Sequence, residues 1–485
     1  MNAQSVVVVG AGPAGLATAV TLARAGVHVV VLERRSTGSP LPRATVLSLR
    51  SMELMRAWGL EERVLAAADD VDMTMLAMPS AARAAQGTPI DVGFPTAAQS
   101  SVLSPTRAVC IAQDLLESVL LEHASSLDVT VVRGCEVVDV ICTDATTTVA
   151  ARDATGEVRW IDTQYVVGAD GARSAVRAAM GIELQGPETL LQGVRVEFRA
   201  PLWDLLGQHR HLLYAITDPE ATGVLLPAGR GDRWLFGVTY GAASDLAGPP
   251  TSDQLHQRLL RAVDLTDAQV HVSRVDRFTA GAQIATVFSR GTVFLTGDAA
   301  HRVTPRGGTG LNIAIGDGHD LGWKLGWVLR GWAPASLLDS YEVERRPAVQ
   351  HNVHRSADPT GSQRSAISEI HVDLGGRLPH AWVGPKVSTL DVLGEGLTLL
   401  VADGTPDFAA TAAPDLGPPL SVAAVDVLTA HSIGIGSHGA ALLRPDGVPI
   451  ATWWTTPSPA QLGAAASSML TGPPHGDPAA AGLAA

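Results

Sequence analysis

Ser5-Val6-Val7-Val8-Val9-Gly10-Ala11-Gly12-Pro13-Ala14-Gly15 runs from an apolar, β-branched segment straight into a glycine-rich turn. An alanine-rich, apolar stretch follows to Ala25, Gly26 stops it, and Val27 to Leu32 is a second buried-type strand ending at Glu33. The order is strand, glycine turn, helix and strand, with an acid 23 positions after Gly10. That spacing is the dinucleotide-binding pattern. Gly10 allows the tight turn, Gly12 lets the backbone approach a pyrophosphate, and Gly15 lets helix and strand pack closely. Free N–H groups at the helix start attract the phosphates. A carboxylate at Glu33 accepts from a ribose and disfavours a 2′-phosphate. The loop alone does not separate FAD from NAD.

A chain of 485 residues exceeds one core, so two or three domains are expected. Apolar residues at 46% and charged residues at 17% suit an α/β protein with large buried sheets. The net charge of −13 argues against nucleic acid or an anionic membrane as partner. No apolar run reaches membrane-spanning length. No basic start with a cleavage site precedes the first strand, so a cytoplasmic location is expected. Cys110, Cys135 and Cys142 have neither CxxC nor metal-ligand spacing and read as free thiols, so no metal is expected.

Further along, residues of about 70 to 105 carry Pro79, Pro89, Pro95 and Pro105 and read as an irregular excursion. Gln113 to Ala124 reads as an amphipathic helix, and Tyr165-Val166-Val167 as a buried strand ending at Gly168-Ala169-Asp170-Gly171. From about 190 to 276 the pattern is a mostly antiparallel sheet with one helix near Ser252 to Val263. Val293 to Leu295 is again a buried strand, ending at Gly297-Asp298-Ala299-Ala300-His301. A long helix begins near Gly310. The final residues are rich in Ala, Pro, Gly and Ser, a composition that favours a mobile tail.

Three glycine-acid segments thus follow three predicted strands, and in a doubly wound sheet such strand ends converge on one crevice. This combination, over nearly the whole chain, resembles the single-component (class A) FAD-dependent aromatic hydroxylases. That is the para-hydroxybenzoate hydroxylase-like family, in its larger polyketide-hydroxylase form with a thioredoxin-like C-terminal domain. The resemblance implies an α/β fold. A Rossmann-like FAD domain would be discontinuous over 1–75, 102–180 and 277–380. A substrate domain would span 76–101 and 181–276, and the thioredoxin-like unit 381–485.

It also implies site residues. Gly10, Gly12, Pro13, Ala14 and Gly15 match the diphosphate loop, Glu33 the ribose acid, and Arg34 a residue lying against the adenosine. Arg43 matches an arginine near the flavin and ribityl chain, Gln113 a ribityl or phosphate contact, and Val137 a backbone contact to adenine; Arg107 is a weaker candidate. Asp170-Gly171-x-x-Ser174-x-x-Arg177 matches the second motif, where Asp170 also suits a helix cap. Asp298 matches the ribityl-binding aspartate. Pro305, Gly308, Gly310, Leu311 and Asn312 match the loop and helix start beside the isoalloxazine. Helix N–H groups there suit negative charge on a reduced flavin. Asp317, Asp320 and Lys324 read as structural.

The implied reaction uses FAD, with NAD(P)H as transient reductant, and O2. A flavin C4a-hydroperoxide transfers oxygen to an aromatic, polycyclic polyketide-type substrate. Tyr214, Trp234 and Phe236 are the candidate substrate contacts, with plain sheet core as the competing reading. Tyr214, His301 and Pro305 are the candidates near the chemistry, and His301 suits a local hydrogen bond better than a base. Pro227-Ala228-Gly229 stands where the para-hydroxybenzoate enzyme has polar and arginine carboxylate binders, which favours a larger, more apolar substrate. A Baeyer–Villiger oxygenase on the same fold and a non-catalytic flavin-binding chaperone stay open. A flavin halogenase does not fit, because the first lysine is Lys324 and no Trp-x-Trp-x-Ile-Pro stretch occurs. The C-terminal unit has no cysteine, which excludes dithiol chemistry there. Monomer and homodimer are both compatible with the sequence.

Overall fold

The computed structural model describes residues 4–39, 42, 44–143, 146–229, 231–241, 244–403 and 416–471. Elements that position the site are, in chain order, β1 (Gln4–Val9), α1 (Pro13–Arg24), β2 (Val29–Glu33), α2 (Leu49–Ala57), α3 (Gln113–Ser126), β3 (Val129–Arg133), β4 (Val158–Gly168), α4 (Ala175–Ala179), β5 (Val293–Leu295), α5 (Gly310–Leu329) and α6 (Ser340–Ala357).

Valine-rich β1 and β2 and the apolar β5 are buried on both faces, as central parallel strands require. The sheet runs β5-β4-β1-β2-β3, all parallel, with Ser289–Arg290 antiparallel at the β5 edge. Register decides the site. Val9 pairs with Leu32 and Gly168, and Gly168 with Leu295, so these strands end level. Helix α5 lies directly on α1. A Cβ on Gly318 would sit 2.4 Å from Ala14 O, and one on Gly322 2.7 Å from Thr21 Cβ, so only glycine permits this approach.

A second sheet has the order His271–Ala280, Leu191–Arg199, Arg233–Tyr240, Gly223–Pro227, His211–Ile216, Asp72–Met78 and Thr88–Asp91. It is antiparallel apart from the parallel pairing of His211–Ile216 with Asp72–Met78. The helix expected near Ser252 spans Ser252–Val263 and packs on one face. The expected irregular excursion at 70–105 is corrected: it contributes two strands of this sheet and a helix at Ala97–Leu103. Asp72–Met78 buries residues on both faces (Met73 and Met75 on one, Leu76 and Met78 on the other), so no alternation marked it as a strand.

Past α6, a four-stranded sheet runs Leu420–Val425, Leu397–Ala402, Ala440–Leu443, Pro449–Trp453. Its core is shared with α5: Trp323 and Trp327 pack among Leu397, Leu399, Leu442 and Leu462. Charges also cross this junction. Arg444 donates to both oxygens of Glu344 on α6 at 2.9 and 2.7 Å. Lys324, wholly buried, pairs with Asp320 at 2.8 Å and with Glu344 at 3.2 Å. Arg377 grips Glu53 of α2 at 2.6 and 3.0 Å, and Arg50 donates to Asp446 O at 2.7 Å. Among the described residues, no helix is long and apolar enough to cross a membrane.

Candidate functional site

Level strand ends bring the three glycine-acid segments side by side. One residue past each end, Gly10 N–H donates to Leu32 O at 2.8 Å, Ala169 N–H to Val9 O at 2.9 Å and Thr296 N–H to Gly168 O at 2.9 Å. The turns at Gly10, Ala169 and Gly297 therefore line one edge of the sheet. Gly10 has φ +104°, and a Cβ there would lie 2.4 Å from Ala169 O. A Cβ on Gly15 would strike Gly10 O at 2.0 Å. Gly12 differs: a Cβ there meets nothing within 4 Å, so the surface above it is open. Pro13 occupies the first position of α1, and Leu16 N–H makes the first helical bond to Gly12 O at 2.9 Å. That leaves the Ala14 and Gly15 N–H groups outside the helical ladder, a site for anionic oxygens.

Glu33 accepts from the Ala11 N–H at 2.8 Å and from the Arg35 N–H at 2.9 Å. Each carboxylate oxygen keeps a further lone pair for a sugar hydroxyl. An 80 Å³ cleft opens here, lined by Ala11, Gly12, Glu33, Arg35, Asp114 and Glu117 among others. Gln113 starts α3 beside it, donating through its side chain to Glu117 at 2.7 Å and through its backbone to Ala44 O at 2.9 Å. Arg34 and Arg107 are exposed, and Val137 is buried on the strand Glu136–Cys142. Arg43 lies outside the described residues.

The cap of α4 is Ser174, whose Oγ accepts from the Arg177 N–H at 2.9 Å; Asp170, expected as the cap, backs it by accepting from the Ser174 hydroxyl and from the Val176 N–H at 3.1 Å. Burial pushes its carboxyl above the usual range. Arg177 ties this turn to the next, donating to Ala172 O and Ala299 O, each at 3.0 Å. Its role as a bridge was missed in the sequence, where only the Ser174-x-x-Arg177 spacing marked it. Asp298 is exposed in a run, Val293 to Ala300, whose other members from Val293 to Gly297 and at Ala299 and Ala300 are all buried.

Pro305 is exposed, and Gly308 N–H bonds back to its carbonyl at 3.2 Å. Thr309 precedes α5 without capping it, and its Oγ1 is buried with no partner among the described residues. The N–H groups of Gly310, Leu311 and Asn312 precede the first ladder bond, from Ile313 N–H to Thr309 O at 3.0 Å. The Asn312 side chain is spent within the protein. Its oxygen accepts from Ser48 N–H at 2.9 Å and Ser51 Oγ at 2.8 Å; its nitrogen donates to Val46 O and Gly308 O, both at 3.3 Å. Asn312 can thus offer a ligand its backbone only. The open ground above Gly12, the orphaned Thr309 hydroxyl and the two free helix starts fit an extended dinucleotide carrying a flat ring.

The family described as an FAD binding domain matches residues 3–356. The chain belongs to this family: it is an FAD-dependent monooxygenase. It is 32% identical over 509 residues to an aklavinone 12-hydroxylase of Streptomyces purpurascens, covering 91% of this chain and 94% of that one. It is likewise 32% identical over 514 residues to a tetracenomycin B2 monooxygenase-dioxygenase of Streptomyces olivaceus, with 91% and 94% covered. A solved ternary complex of aklavinone-11 hydroxylase with FAD and aklavinone superposes with a TM-score of 0.86 at 29% identity, over 97% of this chain and 100% of that chain.

The monooxygenase does not present its expected substrate contacts to a cleft. Tyr214, Trp234 and Phe236 are fully buried on the sheet face that packs against Ser252–Val263. Tyr214 Oη donates to His209 O and accepts from His211 N–H, both at 3.0 Å. These three residues are corrected to core. Their neighbours on the same strands point the other way, as strand alternation demands. Leu213 and Ala215 join Met73, Met75, Leu212 and Phe94 in an apolar layer that includes Val46 and Cys110 of the first domain. Phe94 reaches the loop itself: a Cβ on Gly308 would lie 3.8 Å from its ring. His301 is also corrected as a reacting group, being fully buried with Nε2 2.7 Å from Asp317 Oδ2.

Proposed function

We propose that this monooxygenase hydroxylates an aromatic, polycyclic polyketide-type substrate at the expense of NAD(P)H and O2. The observation that carries the substrate class is the apolar layer between the second sheet and the Pro305–Asn312 loop. Among the described residues, Arg355 and Arg233 are already committed. Arg355 donates to Gly361 O, Glu369 and Val92 O at 2.9 to 3.0 Å. Arg233 is bidentate to Asp114 at 2.8 Å. A small aromatic acid would need a free cation there, whereas a large, flat, weakly charged ring system gains by burying area. The aklavinone and tetracenomycin B2 relatives support the same class.

In this reading the Ala14 and Gly15 N–H groups hold the diphosphate, Glu33 the adenosine ribose and Asp298 the ribityl hydroxyls. The N–H groups of Gly310, Leu311 and Asn312, free at the start of α5, would stabilise negative charge on the bound flavin ring. FAD, when bound, supplies hydride acceptance and oxygen activation. Phe94, Met75, Leu213 and Ala215 exclude water and orient the substrate ring over the loop.

The test is incubation of the purified holoenzyme with a panel of phenolic polycycles, NADPH or NADH, and O2, followed by mass spectrometry. One added oxygen with the ring system intact supports the proposal. A lactone product assigns Baeyer–Villiger chemistry instead. Flavin that stays oxidised with NAD(P)H and every ligand overturns the enzymatic reading.

A further inference from the structure

The sheet-end turn Gly297–Ala299 and the N-terminus of α5 must hold opposite ends of one flavin, and they belong to separate elements. One buried group joins them. Asp317, in the interior of α5, has no exposed surface. Its Oδ2 accepts from the Gly297 N–H at 3.1 Å and lies 2.7 Å from His301 Nε2. Its Oδ1 accepts from Arg345 Nε of α6 at 2.8 Å. Burial alone would raise this carboxyl, but the Arg345 guanidinium and the hydrogen bond with His301 pull it below the usual range, so it stands ionised. Charge-assisted bonds of this kind are about twice as strong as neutral ones.

We propose that Asp317, clamped by Arg345 and His301, is the positioning residue that sets the Asp298 turn against α5 and so fixes FAD across its ribityl chain. The turn has little other freedom. Gly297 has φ +57°, and a Cβ there would sit 2.9 Å from Ala14 Cβ and 3.2 Å from Ala314 Cβ. From the far side Arg177 holds Ala299 O at 3.0 Å. Asp298 stands between these two grips. Asp317 is the ionised member of the set, and it is rooted in the helix whose first N–H groups face the ring. A displaced Asp317 moves Asp298 relative to Gly310, and a ribityl chain held at one end and a ring held at the other would then have to give up one set of contacts.

The inference rests on the ribityl assignment of Asp298, and the experiment separates the two. Full-length holoenzyme carrying Asp317→Asn is diluted, and released FAD is read by its fluorescence. ADP, which lacks ribityl and ring, is titrated as competitor. FAD affinity should fall about tenfold or more, the loss expected when a charged hydrogen bond to a buried partner is removed. ADP affinity should stay within about twofold, because β1, α1 and Glu33 are untouched. Arg345→Gln, which leaves the carboxylate in place without its counter-charge, should shift FAD in the same direction with ADP again unchanged. It keeps the test alive if Asp317→Asn does not fold. Unchanged FAD affinity in the folded variants, or equal losses for FAD and ADP, overturns the proposal. Failure of the underlying reading appears elsewhere, as an Asp298→Ala protein that binds FAD like the unaltered chain.

Discussion

Replacing Gly10 or Gly12 by alanine adds the same methyl group two residues apart, with opposite expected consequences. At Gly10 the backbone has φ +104°, and the new Cβ would lie 2.4 Å from Ala169 O and 2.9 Å from Ala169 C. The conformation costs about 1–3 kcal/mol for a non-glycine residue. Displacing the Ala169 turn costs about the same again. Gly10→Ala should therefore lose about 2–6 kcal/mol of folding stability, before any ligand is considered. At Gly12 φ is −82°, an ordinary value, and the Cβ meets nothing. Gly12→Ala should change the stability of flavin-free protein by less than about 1 kcal/mol, the scale of an N-cap exchange. It should instead weaken FAD at least about tenfold, because the methyl would occupy the open ground that the proposed reading gives to the diphosphate. Urea unfolding of flavin-stripped protein and fluorescence titration with FAD read the two effects. Equal unfolding losses for both variants, or FAD binding by Gly12→Ala at the unaltered level, would refute the reasoning.

Other outcomes follow from the same geometry. Asp298→Ala should lower FAD affinity about tenfold to a hundredfold without a matching change in unfolding midpoint, checked by flavin fluorescence and thermal unfolding. Glu53→Ala strands the buried Arg377 guanidinium and should cost about 3–5 kcal/mol in urea unfolding, where Arg50→Ala costs less. Burial pushes His319 down to about 3, so the unfolded chain takes up a proton near pH 6.5 while the folded one does not. The His319 contribution is complete above pH 6.5 and is lost as pH falls toward 3. His319→Gln should therefore flatten the acid side of the stability profile by about 1–2 kcal/mol at pH 5. Asp373 runs the other way. Its carboxyl is pushed up to about 6 by burial, so its stabilising protonated form is lost as pH rises from about 4 through 6. Asp373→Asn should remove that decline.

Much of the candidate site was legible because its signals are local. Gly10, Gly12, Gly15 and Glu33 lie within one strand-turn-helix-strand unit, and the strand ends at Val9, Gly168 and Leu295 announce themselves by apolar runs that end at or just before a glycine. The side chain of Asn312 was not legible, since its partners Ser48 and Val46 lie more than 260 positions away. Nor was the facing of Tyr214, Trp234 and Phe236. Their strands are apolar on both faces, so alternation separates two sets without saying which one meets the helix Ser252–Val263. Asp72–Met78 hid for the same reason, with Pro79, Pro89 and Pro95 following it and suggesting a loop. Asp317 read as an ordinary helix residue because a buried acid is defined by what crosses to it, here Arg345 and His301, and no spacing rule encodes that.

The junction of the last sheet with α2, α5 and α6 bears on modularity. Arg377 and Arg444 neutralise Glu53 and Glu344, and Glu344 in turn shares Lys324, which is wholly enclosed. Cutting the chain before Arg377 would leave carboxylates and tryptophan faces of the first domain bare. The C-terminal sheet therefore cannot be exchanged between relatives as a cassette. A viable chimaera must carry its partners on three earlier helices with it, and a crossover point that respects this lies upstream of Arg50, not at the visible boundary after α6.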